Sequence, residues 1–237
     1  MDDLLGKAIV DYHSGKLDAS LSIYNHYGEP DEMPIEVYFR DEIDFSPADS
    51  YAVNLSRGKV LEIGAGAGAV CLALQDRGLE VEGLDISPGC VQIMKERGVA
   101  RIIHTDFFKW VTNHKFDTIL MLMNGIGFCS RLANLTMVLN KLKSLLNPGG
   151  QILFDSSDVT YLYPEGLPTN KYYGEIDYQY GYNGTFGQWF SWLYVDFKTL
   201  CTHAKTCDLE VQLIMQEETG QYLVRAVGKN QIPDPRG

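Results

Sequence analysis

The sequence predicts an α/β protein in which helices pack against a mostly parallel β-sheet. From Lys59 onward, short apolar runs alternate with helical patterns, which is typical of a parallel sheet covered by helices. Hydrophobic residues make up 45% of the 237 residues and charged residues 22%, so the chain is long and apolar enough for a substantial core. No internal repeat divides it, and we interpret residues 1–237 as a single domain.

The first two strand–helix pairs are delimited by caps and glycines. The apolar run "KVLEI" predicts the first strand, and the helix after it covers about residues 69–77 and ends at Gly78. "LEVEGLD" predicts the second strand. Ser87 then caps a helix whose first residue is Pro88, and Gly98 lies just past its end.

The remaining elements continue the alternation. "ARIIHTD" and "FDTILMLM" predict the third and fourth strands, and "QILFD" predicts the fifth. Between the fourth and fifth strands, apolar residues at helical spacing predict a helix that packs on the sheet and ends at "NPGG"; they are Leu132, Leu135, Val138, Leu139, Leu142 and Leu146. A last helix around residues 198–206 precedes "EVQLIMQ" and "YLVRAVG", which we interpret as an antiparallel pair that closes the sheet.

Two segments lie outside this alternation. Residues 1–57 begin with a helical pattern and then become irregular, and we interpret them as a lid. Residues 156–196 form an insert rich in aromatic residues after the fifth strand. Within the insert, Asn183-Gly184 separates two β-prone runs, which predicts a hairpin with a two-residue turn. The last helix and the closing strands then occupy residues 197–237.

The composition argues against several classes of partner. The formal net charge is −11 and no basic stripe is present, so no nucleic acid is expected. The N-terminus lacks a signal-peptide pattern and the clear apolar runs are too short to span a bilayer, so no membrane is expected. Five scattered cysteines suit reduced thiols in a cytoplasmic protein. "CTHAKTC" has no second ligand cluster beside it, so no metal is expected.

The stretch "VLEIGAGAGAV" joins the first strand to the first helix through a glycine-rich turn. Gly64, Gly66 and Gly68 are spaced as in turns that bring the backbone close to a nucleotide, in dehydrogenases and in methyltransferases. Asp85, about twenty residues after the turn, stands where a ribose-binding acid is expected. The glycines and Asp85 therefore leave two ligands open, a hydride carrier and a methyl donor.

Three further features favour the methyl donor. Glu62 lies inside the first strand, two residues before the turn, where a carboxylate disfavours a pyrophosphate but suits a cationic sulfonium and ammonium. Asp106 follows the third strand, where its carboxylate can accept from the exocyclic amine of adenine while Phe107 flanks the ring. The closing strand pair is a feature that a dinucleotide fold does not require. S-adenosylmethionine, which has no phosphate and two positive charges, fits these residues better than a nicotinamide dinucleotide.

These residues belong to a set of motifs that resembles the Rossmann-like (class I) S-adenosylmethionine-dependent methyltransferases. "VLEIGAGAG", "EGLDISP", "IIHTDFF", "FDTILMLMNGIGF" and "LLNPGGQILFDSS" occur in the order and spacing of that family, over about residues 59–157. The resemblance implies a seven-stranded sheet of order 3-2-1-4-5-7-6 with the last strand antiparallel and helices on both faces. It also implies that residues 58–155 are a donor-binding core, with S-adenosyl-L-methionine as donor and S-adenosyl-L-homocysteine as product.

The resemblance implies a donor site formed by strand-end acids, the backbone of the glycine turn and apolar residues. Glu62 would fix the amino end of the methionine moiety, and Asp85 would bind both ribose hydroxyls with Ile86 against adenine. The implied set is Glu62, Gly64, Ala65, Gly66, Gly68, Asp85, Ile86, Asp106, Phe107, Met123 and Asn124. Arg40 is a further candidate, for the carboxylate of the donor, with a surface salt bridge to Asp41 or Glu42 as the alternative interpretation.

The catalytic residue is poorly determined by the sequence. Methyl transfer from a sulfonium is an in-line displacement, so alignment matters most and a base is needed only if the acceptor must lose a proton. The candidates are Asn124, Asp155 and Asp158, and for the two acids capping of the following turn is an equally good interpretation.

We predict a small-molecule acceptor held under the N-terminal lid and the aromatic insert. "Met-Asn-Gly-Ile" stands where amino-methylating nucleic-acid enzymes of the family carry an Asn/Asp-Pro-Pro-aromatic motif. Tyr178, Tyr180 and Tyr182 share one strand face, which suits a flat or cationic acceptor but equally hairpin packing or a dimer surface. The alternatives are a protein or RNA methyltransferase, a nicotinamide dehydrogenase and a non-catalytic module that binds the donor or its product. The oligomeric state is left open.

Overall fold

The computed structural model describes residues 3–229, so residues 1–2 and 230–237, which the single-domain prediction includes, lie outside the described residues. The helices are α1 (Leu4–His13), α2 (Pro47–Leu55), α3 (Ala69–Asp76), α4 (Pro88–Arg97), α5 (Leu132–Ser144) and α6 (Phe197–Thr206). The strands are β1 (Ser20–Tyr24), β2 (Asp31–Pro34), β3 (Lys59–Ile63), β4 (Glu80–Asp85), β5 (Ile102–His104), β6 (Phe116–Met121), β7 (Leu146–Ser157), β8 (Glu175–Tyr182), β9 (Thr185–Phe186), β10 (Phe190–Leu193), β11 (Leu209–Gln216) and β12 (Gln221–Gly228). Short 3₁₀ helices cover Ile35–Tyr38, Glu42–Asp44, Gly125–Cys129 and Thr160–Leu162.

Seven strands form the main sheet, in the order β11-β12-β7-β6-β3-β4-β5. The pairs β4–β5 and β6–β7 are parallel, whereas β12 runs antiparallel to both of its neighbours, β7 and β11. Counted from β3 as the first strand, this is the order 3-2-1-4-5-7-6 with the last strand antiparallel. The predicted sheet is confirmed.

The ends of α3 and α4 follow from the residues that the sequence offers there. The Ser87 hydroxyl accepts from the Cys90 amide at 3.0 Å and so caps α4, in which Pro88 is the first residue. Gly98 ends α4 with φ +92° and Gly78 follows α3 with φ +80°, the left-handed conformation that favours glycine. These boundaries are local, and the sequence predicts them correctly.

The fifth strand of the main sheet begins earlier than predicted. The helix α5 ends at Ser144, and β7 starts at Leu146, so "NPGG" lies inside the strand rather than before it. Gly149 has φ +80°, and the register of β7 against β6 shifts between the Phe116 and Thr118 pairs. A glycine in the left-handed region thus allows an irregular strand where its sequence resembles a turn.

A second sheet contains the N-terminal segment and the aromatic insert. Its strands are ordered β10-β8-β1-β2, and β9 pairs with β8. The expectation of irregular structure after α1 is therefore wrong for β1 and β2, which pair antiparallel with each other. The strand β1 also pairs with β8, where Ser22 lies opposite Gly181. The pairs between β1 and β8 join residues 155 to 159 positions apart, and a local sequence pattern does not predict such a pairing.

The chain packs as two compact units. The first comprises the described residues up to 46, residues 61–111 and residues 176–191, and the second comprises residues 47–60, 112–175 and those from 192 onward. In the first unit, Leu4, Ile9, Leu21, Ile35 and Ile93 belong to one buried cluster. The single-domain interpretation and the lid stay predictions. None of the helices between residues 3 and 229 combines the length and the apolarity needed to cross a membrane.

The second unit has large side chains that are fully buried. Phe116, Ile119 and Leu120 of β6, Phe154 of β7 and Tyr222 of β12 are among the largest fully buried side chains. These strands are neighbours in the main sheet, and consecutive residues such as Ile119 and Leu120 point to opposite faces, so both faces are covered there.

The aromatic insert folds into strands around the predicted turn. Asn183 and Gly184 have φ +49° and +74°, and Tyr182 pairs with Thr185 across them, as a two-residue turn requires. The Tyr182 hydroxyl donates to the Asp11 carboxylate at 2.9 Å, and the Tyr180 ring lies 4.8 Å from that of Phe190. Part of the tyrosine face is therefore used for packing.

Candidate active site

The glycine turn between β3 and α3 is built from three residues with positive φ. Gly64, Gly66 and Gly68 have φ values of +75°, +56° and +80°. A Cβ at Gly64 would have no atom within 4 Å, whereas one at Gly66 would lie 3.0 Å from the Tyr38 ring and one at Gly68 2.6 Å from Val99. A side chain at Gly68 would require Val99 to move and one at Gly66 would press on Tyr38, whereas Gly64 faces open space.

Asp85 lies at the end of β4 and is held by the backbone. Its side chain is buried; Oδ2 accepts from the Gly66 amide at 2.9 Å and Oδ1 from the Ser87 amide at 2.8 Å. Burial raises the pKa of this carboxyl, although the hydrogen bonds from the Ser87 and Gly66 amides oppose the rise. A carboxylate has about four acceptor positions and the Ile86 amide also bonds to this one, so some capacity to accept from a hydroxyl remains.

Glu62 is the strand-interior acid of β3, and it is buried as predicted. The Cys71 thiol of α3 donates to its Oε2 at 2.9 Å. Burial, and next the charge of Glu62, raise the pKa of the Cys71 thiol well above its usual value. The thiol therefore stays protonated and satisfies part of the hydrogen bonding that a buried carboxylate needs.

The residues predicted to hold adenine differ in exposure. Ile86 is 61% exposed and Phe107 is buried. The Asp106 carboxylate accepts from the Phe108 amide at 2.9 Å and lies 3.6 Å from the Lys109 ammonium, so it caps the turn after β5. An exposed isoleucine at a strand end offers an apolar surface to a flat ring, whereas Asp106 makes the local contacts of an ordinary turn residue.

Two residues that the sequence analysis missed support the glycine turn. The Tyr38 ring covers Gly66, and its hydroxyl lies 3.1 Å from the Met33 sulfur; burial raises the pKa of Tyr38 well above its usual value. Arg97 of α4 donates to the Ala67 carbonyl at 2.8 Å and to the Tyr38 carbonyl at 3.4 Å. Neither has a spacing signal in the sequence.

Arg40 follows the 3₁₀ helix Ile35–Tyr38. Its Nε donates to the Val37 carbonyl at 2.8 Å, and its guanidinium lies 5.7 Å from the centre of the Phe45 ring. Glu42, one of the two acids of the alternative interpretation, forms its ion pair with Arg77. The role of Arg40 toward a donor stays a prediction.

In the second unit, the turn after β6 has two successive residues in the left-handed region. Met123 has φ +59° and Asn124 has φ +55°. The Asn124 amide donates to both oxygens of Asp155, at 2.9 and 2.8 Å, and its Oδ1 accepts from the Ser157 hydroxyl at 2.8 Å. The Trp192 indole donates to the Asn124 carbonyl at 3.0 Å. Two catalytic candidates, Asn124 and Asp155, are therefore in direct contact.

The two acidic catalytic candidates, Asp155 near the end of β7 and Asp158 just after it, are in different situations. Asp155 is 1% exposed and also accepts from the Gln221 side chain at 2.8 Å; burial raises its pKa to about 6, and the charge of Asp49 adds to the rise. Asp158 accepts from the Thr160 amide at 2.9 Å and from the Tyr173 hydroxyl at 3.2 Å, so it caps the following turn. In the part of the chain that the structure describes, no group of three or more His, Cys, Asp or Glu side chains is placed to hold a metal ion.

Comparison with known proteins places the chain in a family. The family model described as "Methyltransferase domain" matches residues 36–201. A solved structure of a S-adenosylmethionine-dependent methyltransferase from Bacteroides fragilis, in complex with S-adenosyl-L-homocysteine, is 37% identical; the match covers 96% of this chain and 95% of that chain, with a TM-score of 0.88. Among curated proteins no match is found.

Two more distant structures share the fold. The sugar N-methyltransferase KedS8 from Streptoalloteichus sp. is 16% identical over 87% of this chain and 97% of that chain, with a TM-score of 0.60. The glycopeptide N-methyltransferase MtfA is 18% identical over 81% of this chain and 91% of that chain, with a TM-score of 0.57. At these identities the likeness concerns the fold alone.

The chain belongs to the S-adenosylmethionine-dependent methyltransferases. Its fold, its enzyme class and its methyl donor are those that the resemblance implies, and the prediction of a methyl donor over a hydride carrier is confirmed. The residues present suit this donor: the backbone at Gly64 faces open space, Ile86 is exposed, and Asp85 has lone pairs available.

Proposed function

We propose that this methyltransferase transfers the methyl group to a small-molecule acceptor by in-line displacement. The net charge of −11 supports such an acceptor, because an acidic protein without a basic stripe attracts a phosphate backbone poorly. The observation that carries the donor side of the proposal is the open backbone at Gly64, where a ligand is able to lie against the chain.

The proposed donor site follows the predicted set of residues. The Glu62 carboxylate offsets the positive charge at the amino end of the donor, and Asp85 accepts from the ribose hydroxyls. Ile86 and Phe107 flank adenine, and Asp106 accepts from its amine. The backbone of Gly64, Ala65, Gly66 and Gly68, together with that of Met123 and Asn124, lines the rest, and Arg40 faces the carboxylate.

Methyl transfer by in-line displacement depends on the alignment of donor and acceptor more than on any single residue. When bound, S-adenosylmethionine supplies an electrophilic methyl group on a positively charged sulfur. The chain's residues then align donor and acceptor and exclude water, which is where most of the acceleration of a displacement arises. Asn124 is the candidate for orienting the acceptor. Its side-chain oxygen, Oδ1, accepts from the Ser157 hydroxyl, so its side-chain nitrogen, Nδ2, is the group that can donate to an acceptor.

Titration calorimetry with S-adenosylhomocysteine tests the donor site. We expect micromolar binding, and no heat from NAD⁺ or NADH. The variant Gly64→Ala is compared with Gly78→Ala, because these glycines have φ +75° and +80° and a Cβ at either would have no atom within 4 Å. Both substitutions should cost the same stability, about 1–2 kcal/mol for a left-handed alanine, but only Gly64→Ala should weaken binding, at least tenfold.

Equal affinities of Gly64→Ala and Gly78→Ala would show that the donor does not approach Gly64, and the proposed site would be wrong. The acceptor is then sought by measuring the formation of S-adenosylhomocysteine from S-adenosylmethionine in the presence of small amines, phenols and carboxylates. Peptides and RNA are measured in parallel. Turnover with peptides or RNA alone would refute the small-molecule proposal. Donor binding without turnover on any panel would favour the non-catalytic module.

A further inference from the structure

The turn after β6 is held in a conformation that its sequence does not favour. Neither Met123 nor Asn124 is glycine, yet both lie in the left-handed region, with φ +59° and +55°. Asparagine tolerates this region, but methionine rarely adopts it. A strained backbone of this kind persists only where the surrounding contacts hold it in place. The contacts that hold this turn should therefore be found around it, and they should matter to what the turn does.

Three side chains from two strands converge on Asn124. Asp155 of β7 takes the Asn124 amide between its two oxygens, and Ser157 of β7 fixes the Asn124 side chain. Trp192 of β10 donates to the Asn124 carbonyl, and its ring covers Gly127, where a Cβ would lie 1.9 Å from the indole nitrogen. Asp155 is the charged member of this set, and its bond to the amide is the charge-assisted one.

Burying the Asp155 carboxylate costs free energy, and the hydrogen bonds that it accepts offset only part of that cost. The carboxylate is 1% exposed and receives the Asn124 amide and the Gln221 side chain of β12. The charged group that faces it from α2 is Asp49, a buried acid whose negative charge disfavours a second one.

We propose that Asp155 is a positioning residue for methyl transfer: its carboxylate holds the Met123–Asn124 backbone in the left-handed region, and protonation of Asp155 loosens that turn. The inference rests on the proposed function in one respect, namely that the turn lines the donor site. The pKa of about 6 places the change between pH 5 and 8. Protonation converts one carboxylate oxygen into a donor and removes the charge assistance from the bond to the Asn124 amide.

The Trp192 indole reports on the turn without any ligand. It donates to the Asn124 carbonyl, and the chain has three tryptophans, Trp110, Trp189 and Trp192, so a ¹⁵N-tryptophan spectrum contains three indole signals. Trp192→Phe identifies the relevant signal. We expect this signal to shift between pH 5 and 8 with a midpoint near the pKa of about 6 in the native protein, and to stay constant in Asp155→Asn.

Asp117→Asn is the matched control. Asp117 also accepts from one backbone amide, that of Lys59 at 2.8 Å, and from one side-chain amide, that of Asn147 at 2.9 Å, but it lies at the start of β6. The Trp192 signal of Asp117→Asn should titrate as in the native protein. A Trp192 signal that does not titrate in the native protein, or that titrates equally in Asp155→Asn, would overturn the proposal.

A second arm measures S-adenosylhomocysteine affinity by calorimetry at pH 8 and pH 5.5. We expect Asp155→Asn to bind at least fivefold more weakly than the native protein at pH 8, and Asp117→Asn to bind within twofold of it. Native affinity of Asp155→Asn at pH 8 would overturn the positioning role even if Trp192 titrates as expected. Failure of the native protein to bind at either pH would instead refute the proposed donor site, while the Trp192 titration would still decide whether Asp155 holds the turn.

Discussion

Substitution of Gly68 by alanine tests how the glycine turn is packed. Gly68 is the N-cap of α3 with φ +80°, and a Cβ there would lie 2.6 Å from Val99 Cγ2 and 3.1 Å from Met94 Cγ. Gly78 follows the same helix with the same φ of +80°, and a Cβ there would have no atom within 4 Å. The left-handed conformation should cost about 1–2 kcal/mol at either position. Overpacking should add about 1–3 kcal/mol at Gly68 alone.

Urea unfolding followed by circular dichroism measures the difference. Gly68→Ala should unfold at a clearly lower urea concentration than Gly78→Ala, with the same dependence of the free energy on urea, because the two variants share the φ cost and differ in the clash. Equal midpoints would refute the reasoning, since they would mean that Val99 and Met94 move aside without cost. Such a result would leave φ alone as the reason for Gly68.

Two further predictions concern buried acids. The pKa of Asp155 in the folded protein, about 6, is above its ordinary value of 3.8. The contribution of Asp155 to the free energy of unfolding is therefore greatest at low pH and is lost as the pH rises through 6. At neutral pH the ionisation of Asp155 lowers the free energy of unfolding by up to about 3 kcal/mol. Asp155→Asn should therefore gain urea resistance relative to the native protein between pH 5 and pH 7.5, and a difference that does not change with pH would contradict this. Asp85→Ala should weaken S-adenosylhomocysteine binding at least tenfold, because two charge-assisted bonds to ribose are lost. The exposed Asp76→Ala is its control, and unchanged affinity of Asp85→Ala in calorimetry would remove Asp85 from the site.

The main sheet and its helix boundaries were predictable because their signals are local. A cap such as Ser87 acts on an amide three residues away, and a glycine such as Gly98 ends its own helix. The strands between them are apolar runs whose burial requires no partner to be known in advance. Buried parallel strands repeat this pattern, so their order follows once the family resemblance is seen.

The N-terminal segment was not predictable in the same way. The strand β2 reads "DEMP", a polar stretch with a proline, and β1 pairs with β8 far along the chain. Tyr38 and Arg97 reach the glycine turn through tertiary packing, the first over Gly66 and the second to the Ala67 carbonyl. Since a sequence pattern reports periodicity and not which segments meet, such supporting residues leave no signal in it.

Acids that look alike in the sequence differ in how deeply they are buried in the structure. Asp106 and Asp158 accept from the amide two residues further along the chain, and water still reaches part of both residues, so they cost little and cap their turns. Glu62, Asp85 and Asp155 are buried, and each is held by donors from another segment: the Cys71 thiol, the Gly66 amide and the Asn124 amide. Burying a carboxylate costs free energy, and the hydrogen bonds from these donors offset part of that cost. We expect residues that serve a ligand to be held at such a cost, and for Glu62 and Asp85 the predicted ligand is the methyl donor.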